Sequence, residues 1–379
     1  ELKKIKKEYP TPRRTEIVDE IADIKLDTTD LIAKENVIVA LTNEGYIKRV
    51  SLKSYSSSNG EETTLKPGDY LKYRFEVTTL DNILIFTNLG QYIFTPVHNI
   101  FEGKWKELGK HINNLVTGLS ESEKIVGAFV IKNKDANITF FTKHGLVKQS
   151  TIKDFIVSRY SKAMMAFKLK DDDEIINVNY STPRTILVSA GGFYLNIDTN
   201  EIPIVGPRAS GVKGISLKDD ELVSGICQND SEYLCIFTNN KTAKRIRISE
   251  LETHNRAKKG SSLMKKVKSF DYRIIKCLPV NGKDELSLKF DSGIDKIKAS
   301  DISILDLKST GSAISKYKIE DVFQETITEN STPDVKTSDT SIESQEEIDN
   351  ITPSTSPTPE TNHKEEQASL ADFFDEFKI

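Results

Sequence analysis

Residues 37–55 read VIVALTNEGYIKRVSLKSY: a β-branched run, a polar turn ending in glycine, and a second run carrying Lys and Arg. Asn-Glu-Gly at 43–45 supplies residues that tolerate positive φ between apolar runs, which predicts a β-hairpin. The pattern returns as ILIFTNLGQYIFTPVHNI from Ile83, ITFFTKHGLVKQSTIKDF from Ile138 and ILVSAGGFYLNIDTNEI from Ile186. It returns again as LCIFTNNKTAKRIRISEL from Leu234 and LSLKFDSGIDKIKASDIS from Leu286. With Leu41, Phe86, Phe141, Val188, Phe237 and Phe290 taken as equivalent, the spacings are 45, 55, 47, 49 and 53 residues. Six such units indicate a radial β array. In the fifth, Asn240-Lys241 stands in place of glycine, and Asn240 is expected to keep the turn because asparagine tolerates the left-handed conformation.

Between the hairpins lie connectors that end in a further apolar strand, such as EKIVGAFVI at 123–131, DEIINVNY at 173–180 and ELVSGICQ at 221–228. Each unit then holds about four strands, so the body is all-β, with six blades in a propeller-like disc. The opening ELKKIKKEYPTPRRTEI sets Leu2 and Ile5 in a lysine-rich run and then supplies Pro10 and Pro12, which predicts a helix end and a linker over 1–20. The chain is read as starting mid-protein, with the blades over 21–326.

Residues 327–379 hold thirteen Asp and Glu against three Lys, a charge of −10 within a whole-chain total of −4. The remaining 326 residues carry +6, so an acidic tail hides a basic body suited to a polyanionic partner. The composition of the tail predicts disorder.

Catalytic and metal readings find little footing. Cys227, Cys235 and Cys277 are odd in number and lack paired spacing, which fits core thiols rather than disulfides or zinc. His98, His111, His144, His254 and His363 fall in separate units without ligand spacing. GPRASGVKG at 206–214 lacks the Gly-Lys-Ser/Thr ending of a phosphate loop, and the acidic run at 170–174 reads as a solvated turn. No metal and no catalytic residue is assigned. No apolar stretch is long enough to span a bilayer, which suggests a cytoplasmic location.

The hairpin repeat, PTPRRTEI at 10–17, EGKWKELGKHINNLV at 102–116 and EIPIVGPRASGVKGISLKDDELVSG at 201–225 together resemble the C-terminal region of bacterial topoisomerase IV A subunits (ParC) of the low-GC Gram-positive type. The resemblance implies a six-bladed β-pinwheel, in which strands pass between neighbouring blades and DNA bends around the rim. Gyrase A subunits share that architecture, but their glutamine, arginine and glycine-rich box is replaced here by SSSNGEETTLKPG at 56–68, which has no arginine and only Lys66. The resemblance therefore implies decatenation and relaxation rather than strong chiral wrapping. It also implies a parent A2B2 enzyme that uses Mg and ATP, with ATP on the ParE partner, and a nucleophilic tyrosine in an upstream domain that this chain lacks. Arg159-Tyr160 lies in a blade connector without the family's surrounding pattern, so Tyr160 is read as a rim or packing residue.

Basic residues stand at corresponding places in successive connectors: Lys104 and Lys106, Arg159 and Lys162, Arg208 and Lys213, then Arg256, Lys258 and Lys259. On a disc these places fall on one rim, where a band of charge can follow a bent phosphate backbone. Lys48, Arg49, Lys148, Lys244, Arg245 and Arg247 on second strands are expected to extend the band, and Gly211, Gly214 and Gly260 either admit phosphates closely or make turns. The partner is double-stranded DNA, held without base readout. A protein-binding propeller of the WD type is the rival, but the single tryptophan, Trp105, is followed by Lys.

The tail ends QASLADFFDEFKI, placing Leu370, Phe373, Phe374 and Phe377 on one helical face. Gln367 with Leu370, Phe373 and Phe374 resembles a sliding-clamp-binding peptide over 367–379, while docking on the chain's own disc and an inert tail stay open as alternatives.

Overall fold

The computed structural model describes residues 1–10, 31–59, 61–120, 122–170 and 172–328. The described residues 31–328 belong to one compact unit. The tail positions Gln367, Leu370, Phe373, Phe374 and Phe377 and the linker at 11–20 lie outside the described residues. Helix Leu2–Glu8 ends at Tyr9, immediately before Pro10, where the missing proline N–H stops helical bonding.

Six small sheets form a six-bladed β-propeller. Blades 1 to 6 are built on the antiparallel hairpins Asn36–Thr42/Tyr46–Ser51, Asn82–Thr87/Gln91–Pro96, Asn137–Thr142/Leu146–Thr151, Arg184–Ser189/Phe193–Asp198, Tyr233–Thr238/Thr242–Arg247 and Glu285–Phe290/Gly293–Lys298. The first strand of each hairpin pairs on its other side with an inner strand. These inner strands, Leu71–Thr78, Ile125–Val130, Ile175–Tyr180, Leu222–Gln228, Ile274–Val280 and Asp321–Phe323, touch one another in order and form the hub.

The turns follow the sequence closely. Gly45, Gly90, Gly145 and Gly192 hold φ of +90°, +79°, +78° and +84° in the first four hairpins. In the fifth, the left-handed residue is Lys241, at φ +61°, rather than Asn240. The sixth hairpin turns one residue earlier, with Phe290 opposite Gly293, so Lys289 and not Phe290 occupies the place held by Phe141 in blade 3.

Each of the first five hairpins gains an outer strand of two residues from the connector that follows the next hairpin. Lys110–His111 joins blade 1, Met164–Met165 blade 2, Val212–Lys213 blade 3, Ser261–Ser262 blade 4 and Ser312–Ala313 blade 5. This is strand exchange between neighbours. The approach is so close that a Cβ on Gly260 would stand 1.9 Å from the Tyr194 carbonyl oxygen, and one on Gly211 2.7 Å from that of Val147. These glycines therefore serve the exchange between blades, a role that the sequence did not suggest. Apolar packing fills the spaces between blades, as where Phe86 meets Phe140 and Phe155 edge-on at 5.2 Å each. Such ring pairs add about 0.5–1.5 kcal/mol beyond area burial.

Blade 6 differs, for its sheet has three strands and no outer one. Its second strand is exposed at every residue but Ile297, whereas that of blade 1 is half buried and the four others are mostly buried. The ring still closes at the hub. Thr326–Thr328 adds a parallel strand to Leu71–Thr78, Tyr70 stacks on Phe323 at 3.6 Å, and the Tyr70 hydroxyl donates to Asp321 Oδ2 at 2.9 Å. Burial and the neighbouring Asp321 carboxylate push the Tyr70 pKa up, keeping that hydroxyl a donor. The ordered sheet thus runs to Thr328, past the boundary at 326 expected from composition.

Candidate nucleic-acid interface

The connectors form a continuous belt because each one is hydrogen-bonded to the next, from connector 2 onward through the backbone. Ala163 N–H donates to Thr117 O at 3.0 Å, Lys168 N–H to Ala209 O at 3.2 Å, Ser216 N–H to Lys258 O at 2.8 Å and Lys265 N–H to Lys308 O at 2.8 Å. Connector 1 joins connector 2 through Trp105, whose indole N–H donates to Glu61 O at 2.7 Å. The belt therefore runs along one rim from connector 1 to connector 6.

Seven of the expected contacts, Lys104, Arg159, Lys162, Arg208, Lys213, Lys258 and Lys259, are exposed on this belt. Among the described residues no carboxylate lies within ion-pair distance of any of them. Arg208 sits at φ +70°, a strained conformation for a side chain this large. The Lys259 ammonium nitrogen lies 4.1 Å from the centre of the Phe193 ring, a cation–π contact, while the residue stays exposed. Lys106 is also exposed but pairs with Glu61 at 2.5 Å. Arg247 pairs with Glu250 at 3.5 Å.

Other expected contacts turn inward. Lys48, Lys148 and Lys244 are buried, and their ammonium groups cap connector carbonyls. Lys148 donates to Ala166 O at 2.7 Å and Gly206 O at 3.1 Å, and Lys244 to Leu263 O and Leu307 O at 2.7 Å each. Lys48 donates to Trp105 O and Thr63 Oγ1 at 2.5 Å each, and to Glu107 O. Burial lowers all three pKa values to about 8, so each remains protonated and donating at neutral pH. These three lysines are staples of blades 1, 3 and 5 and are removed from the rim band. The same place holds Ile93 in blade 2 and Leu195 in blade 4, which pack without polar partners.

Arg245 and Arg49 are also structural. Arg245 donates to Ile302 O at 2.7 Å and Ser300 O at 3.1 Å, and Arg49 to His98 O at 2.6 Å while pairing with Glu102 at 2.8 Å. Each caps the 3-10 turn of the next blade, as Gln149 does on Thr199 O and Ile202 O and Asn196 on Leu251 O. Arg256 is held by Glu201 O at 3.0 Å and Lys213 O at 2.6 Å, so it shapes connector 5. Tyr160 packs beside Phe94, with ring centres 6.2 Å apart.

The belt also carries exposed cations that the sequence reading passed over: Lys265, Lys266, Lys268 and Lys308. The segment RAKKGSSLMKKVKS at 256–269 contains no acidic residue, a signal that becomes visible once the connector is read past its outer strand. Among the described residues no group of His, Cys, Asp and Glu could hold a metal ion, and no helix is long and apolar enough to cross a membrane.

Comparison with known proteins agrees with this architecture. The model of the DNA gyrase C-terminal domain, a β-propeller, matches residues 36–60, 81–132, 136–180, 185–226 and 232–281. The DNA topoisomerase 4 A subunit from Bacillus subtilis (strain 168) is 36% identical over 317 residues, covering 82% of this chain and 39% of that protein. Its counterpart of the same name from Staphylococcus aureus (strain MRSA252) is 37% identical over 289 residues, covering 74% of this chain and 36% of that protein. The chain thus spans less than half the length of these relatives. A crystal structure of the C-terminal domain of DNA topoisomerase IV superposes with a TM-score of 0.73 at 34% identity, covering 77% of this chain and 94% of that one. A gyrase A C-terminal domain shares the fold, with a TM-score of 0.57 at 21% identity. By these matches and by its strand-exchanged blades, the chain belongs to the gyrase-type C-terminal β-propeller family, among the C-terminal domains of topoisomerase IV A subunits.

Proposed function

We propose that this propeller binds and bends duplex DNA without sequence preference, presenting a segment for strand passage by a type IIA topoisomerase. The observation that carries the reading is the connector belt, a continuous rim on which Lys104, Arg159, Lys162, Arg208, Lys213, Lys258 and Lys259 are exposed without a carboxylate partner among the described residues. Such a surface gains affinity by releasing condensed counterions, and a bent duplex meets more of it than a straight one. Its contacts are to phosphates, and no helix among the described residues is placed to read a major groove.

The absence of arginine from connector 1 supports decatenation and relaxation over negative supercoiling. The parent enzyme is then an A2B2 assembly with ParE, the other component of topoisomerase IV, using Mg and ATP at sites outside this chain, in the cytoplasm on the chromosome. The tail face of Leu370, Phe373, Phe374 and Phe377, with Gln367, remains a proposed sliding-clamp peptide. Deleting 329–379 should abolish clamp capture and leave DNA affinity unchanged; tighter DNA binding by the truncated chain would favour autoinhibition instead. The test of the main reading is a titration of linear duplex at several salt concentrations. A steep fall of log affinity with log salt, alike for unrelated sequences, is expected. Affinity that ignores salt would overturn the reading.

A further inference from the structure

In five blades, the edge of the hairpin's second strand is covered by the connector that follows the next hairpin. Continued round the ring, the rule assigns the edge of Gly293–Lys298 in blade 6 to connector 1. The established pairs are antiparallel and fall on the first residues of the second strand: Tyr46 opposite His111, Leu146 opposite Lys213, Thr242 opposite Ala313. The corresponding acceptors are Gly293 and Ile294, and both are exposed, with Ile294 at 39%.

Connector 1 borders the same cleft as this edge but is not paired with it as a strand. Glu61, Glu62, Thr63 and Leu65 line a cleft of about 930 Å³ together with Gly293, Ile294 and Lys296. The connector is held away by bonds to connector 2 and to the second strand of blade 1, among them a buried one from Thr63 Oγ1 to Trp105 O at 2.8 Å. Trp105 Nε1 donates to Glu61 O at 2.7 Å, Thr64 Oγ1 to Lys106 O at 2.5 Å, Lys48 Nζ to Thr63 Oγ1 at 2.5 Å, and Lys106 pairs with Glu61 at 2.5 Å. The ion pair is mostly exposed on both sides, the class of contact that contributes little to stability. Lys48 would keep the Trp105 and Glu107 carbonyls if Thr63 left.

We propose that residues 61–66 are a movable strand that adds to Gly293–Ile294 and closes the rim, and that a DNA phosphate taking Lys106 from Glu61 favours the closed form. An unpaired edge offers a row of free N–H and C=O groups to an added strand. Charge favours the move as well, since Glu61 and Glu62 would approach the exposed Lys296 and Lys298. DNA shifts the ring only to the extent that it binds the closed form more tightly than the open one. The proposal rests on the DNA-binding reading and adds its coupling to ring closure.

The test is a double variant, Leu65→Cys with Ile294→Cys, in the full chain, where the native Cys227, Cys235 and Cys277 are buried. Disulfide formation by a fixed amount of added diamide, which takes up the two electrons and two protons, is followed with and without linear duplex, while DNA binding is read on the same samples by fluorescence anisotropy. The expected result is disulfide formation several-fold faster with DNA, and equally fast without DNA once Glu61→Gln has been added. Bound DNA with an unchanged rate, while both thiols react with a small maleimide, would overturn the switch and leave the DNA reading intact. Failure of the anisotropy signal itself would sink the DNA reading instead. In the unsubstituted chain, Trp105 serves as a second reporter, because it is the only tryptophan and its indole N–H bonds Glu61. Its emission should move to the red at saturating DNA, and unchanged emission there would contradict release of the connector.

Discussion

The junction between blades 5 and 6 and the junction between blades 6 and 1 use related sequence and end in opposite states. At the first, Ser312–Ala313 covers the edge of blade 5, Lys244 staples Leu263 and Leu307, and Arg245 caps the turn of blade 6. At the second, Asp295 holds the place of Lys244 and is exposed, and Lys296 pairs within its own blade with Glu285 at 3.5 Å. Connector 1 spans residues 52–70, against 199–221 for connector 4, and spends part of that length on helix Leu52–Ser56. The difference teaches that the hub strands close the ring at every junction, while the rim stands open at the one junction where connector 1 is bonded to connector 2 instead of to the edge of blade 6.

The largest contrast should come from the exchange glycines. Gly260→Val places side-chain atoms against the Tyr194 carbonyl at a backbone φ of +82°, and we expect a loss of about 3 kcal/mol or more in denaturant unfolding. Asp295→Ala, at the open edge, should stay within about 0.5 kcal/mol. Equal effects would erase the distinction between the junctions.

Lys244→Met comes next. It retains apolar bulk but leaves the Leu263 and Leu307 carbonyls without their donor, at a cost of roughly 2–4 kcal/mol. A Lys244→Met protein as stable as the parent would mean that water or the backbone satisfies those carbonyls.

Replacing residues 56–65 with an arginine and glycine-rich box should increase the superhelicity constrained after ligation, because it adds arginines and flexible glycines to the one connector that does not exchange. No gain would show that this junction does not set wrapping.

A smaller effect is expected on the belt. Lys258→Gln with Lys259→Gln should lower the slope of log affinity against log salt by up to about two, since each phosphate contact contributes about 0.9. Lys296→Gln with Lys298→Gln, away from the belt, should leave the slope in place. If the two pairs act alike, the belt is not the DNA path.

The hairpins were legible because each packs its signal into a few residues: β-branched runs flanking a turn that needs positive φ, as at Gly45 and Gly145. The exchanged strands were not legible. Two residues such as Val212–Lys213 are too short to display an alternation, and their partners are chosen by the neighbouring blade's edge. Lys148 and Lys162 look alike in one dimension, yet one is sealed under carbonyls from two connectors and the other is exposed. What separates them is the cage of backbone oxygens, which exists only after the blades assemble. The connector charges read better, because an exposed cation needs no partner and its spacing alone places it on the rim.

The most direct test of the account is acetylation footprinting of the lysines by mass spectrometry, with and without saturating duplex. The account predicts that Lys104, Lys162, Lys213, Lys258, Lys259, Lys265 and Lys308 lose reactivity together on binding DNA. Lys296 and Lys298 should not lose reactivity through phosphate contact, and Lys48, Lys148 and Lys244 should react little in either state. Protection that falls on the face of blade 6 while the connector lysines stay reactive would contradict a DNA path along the belt.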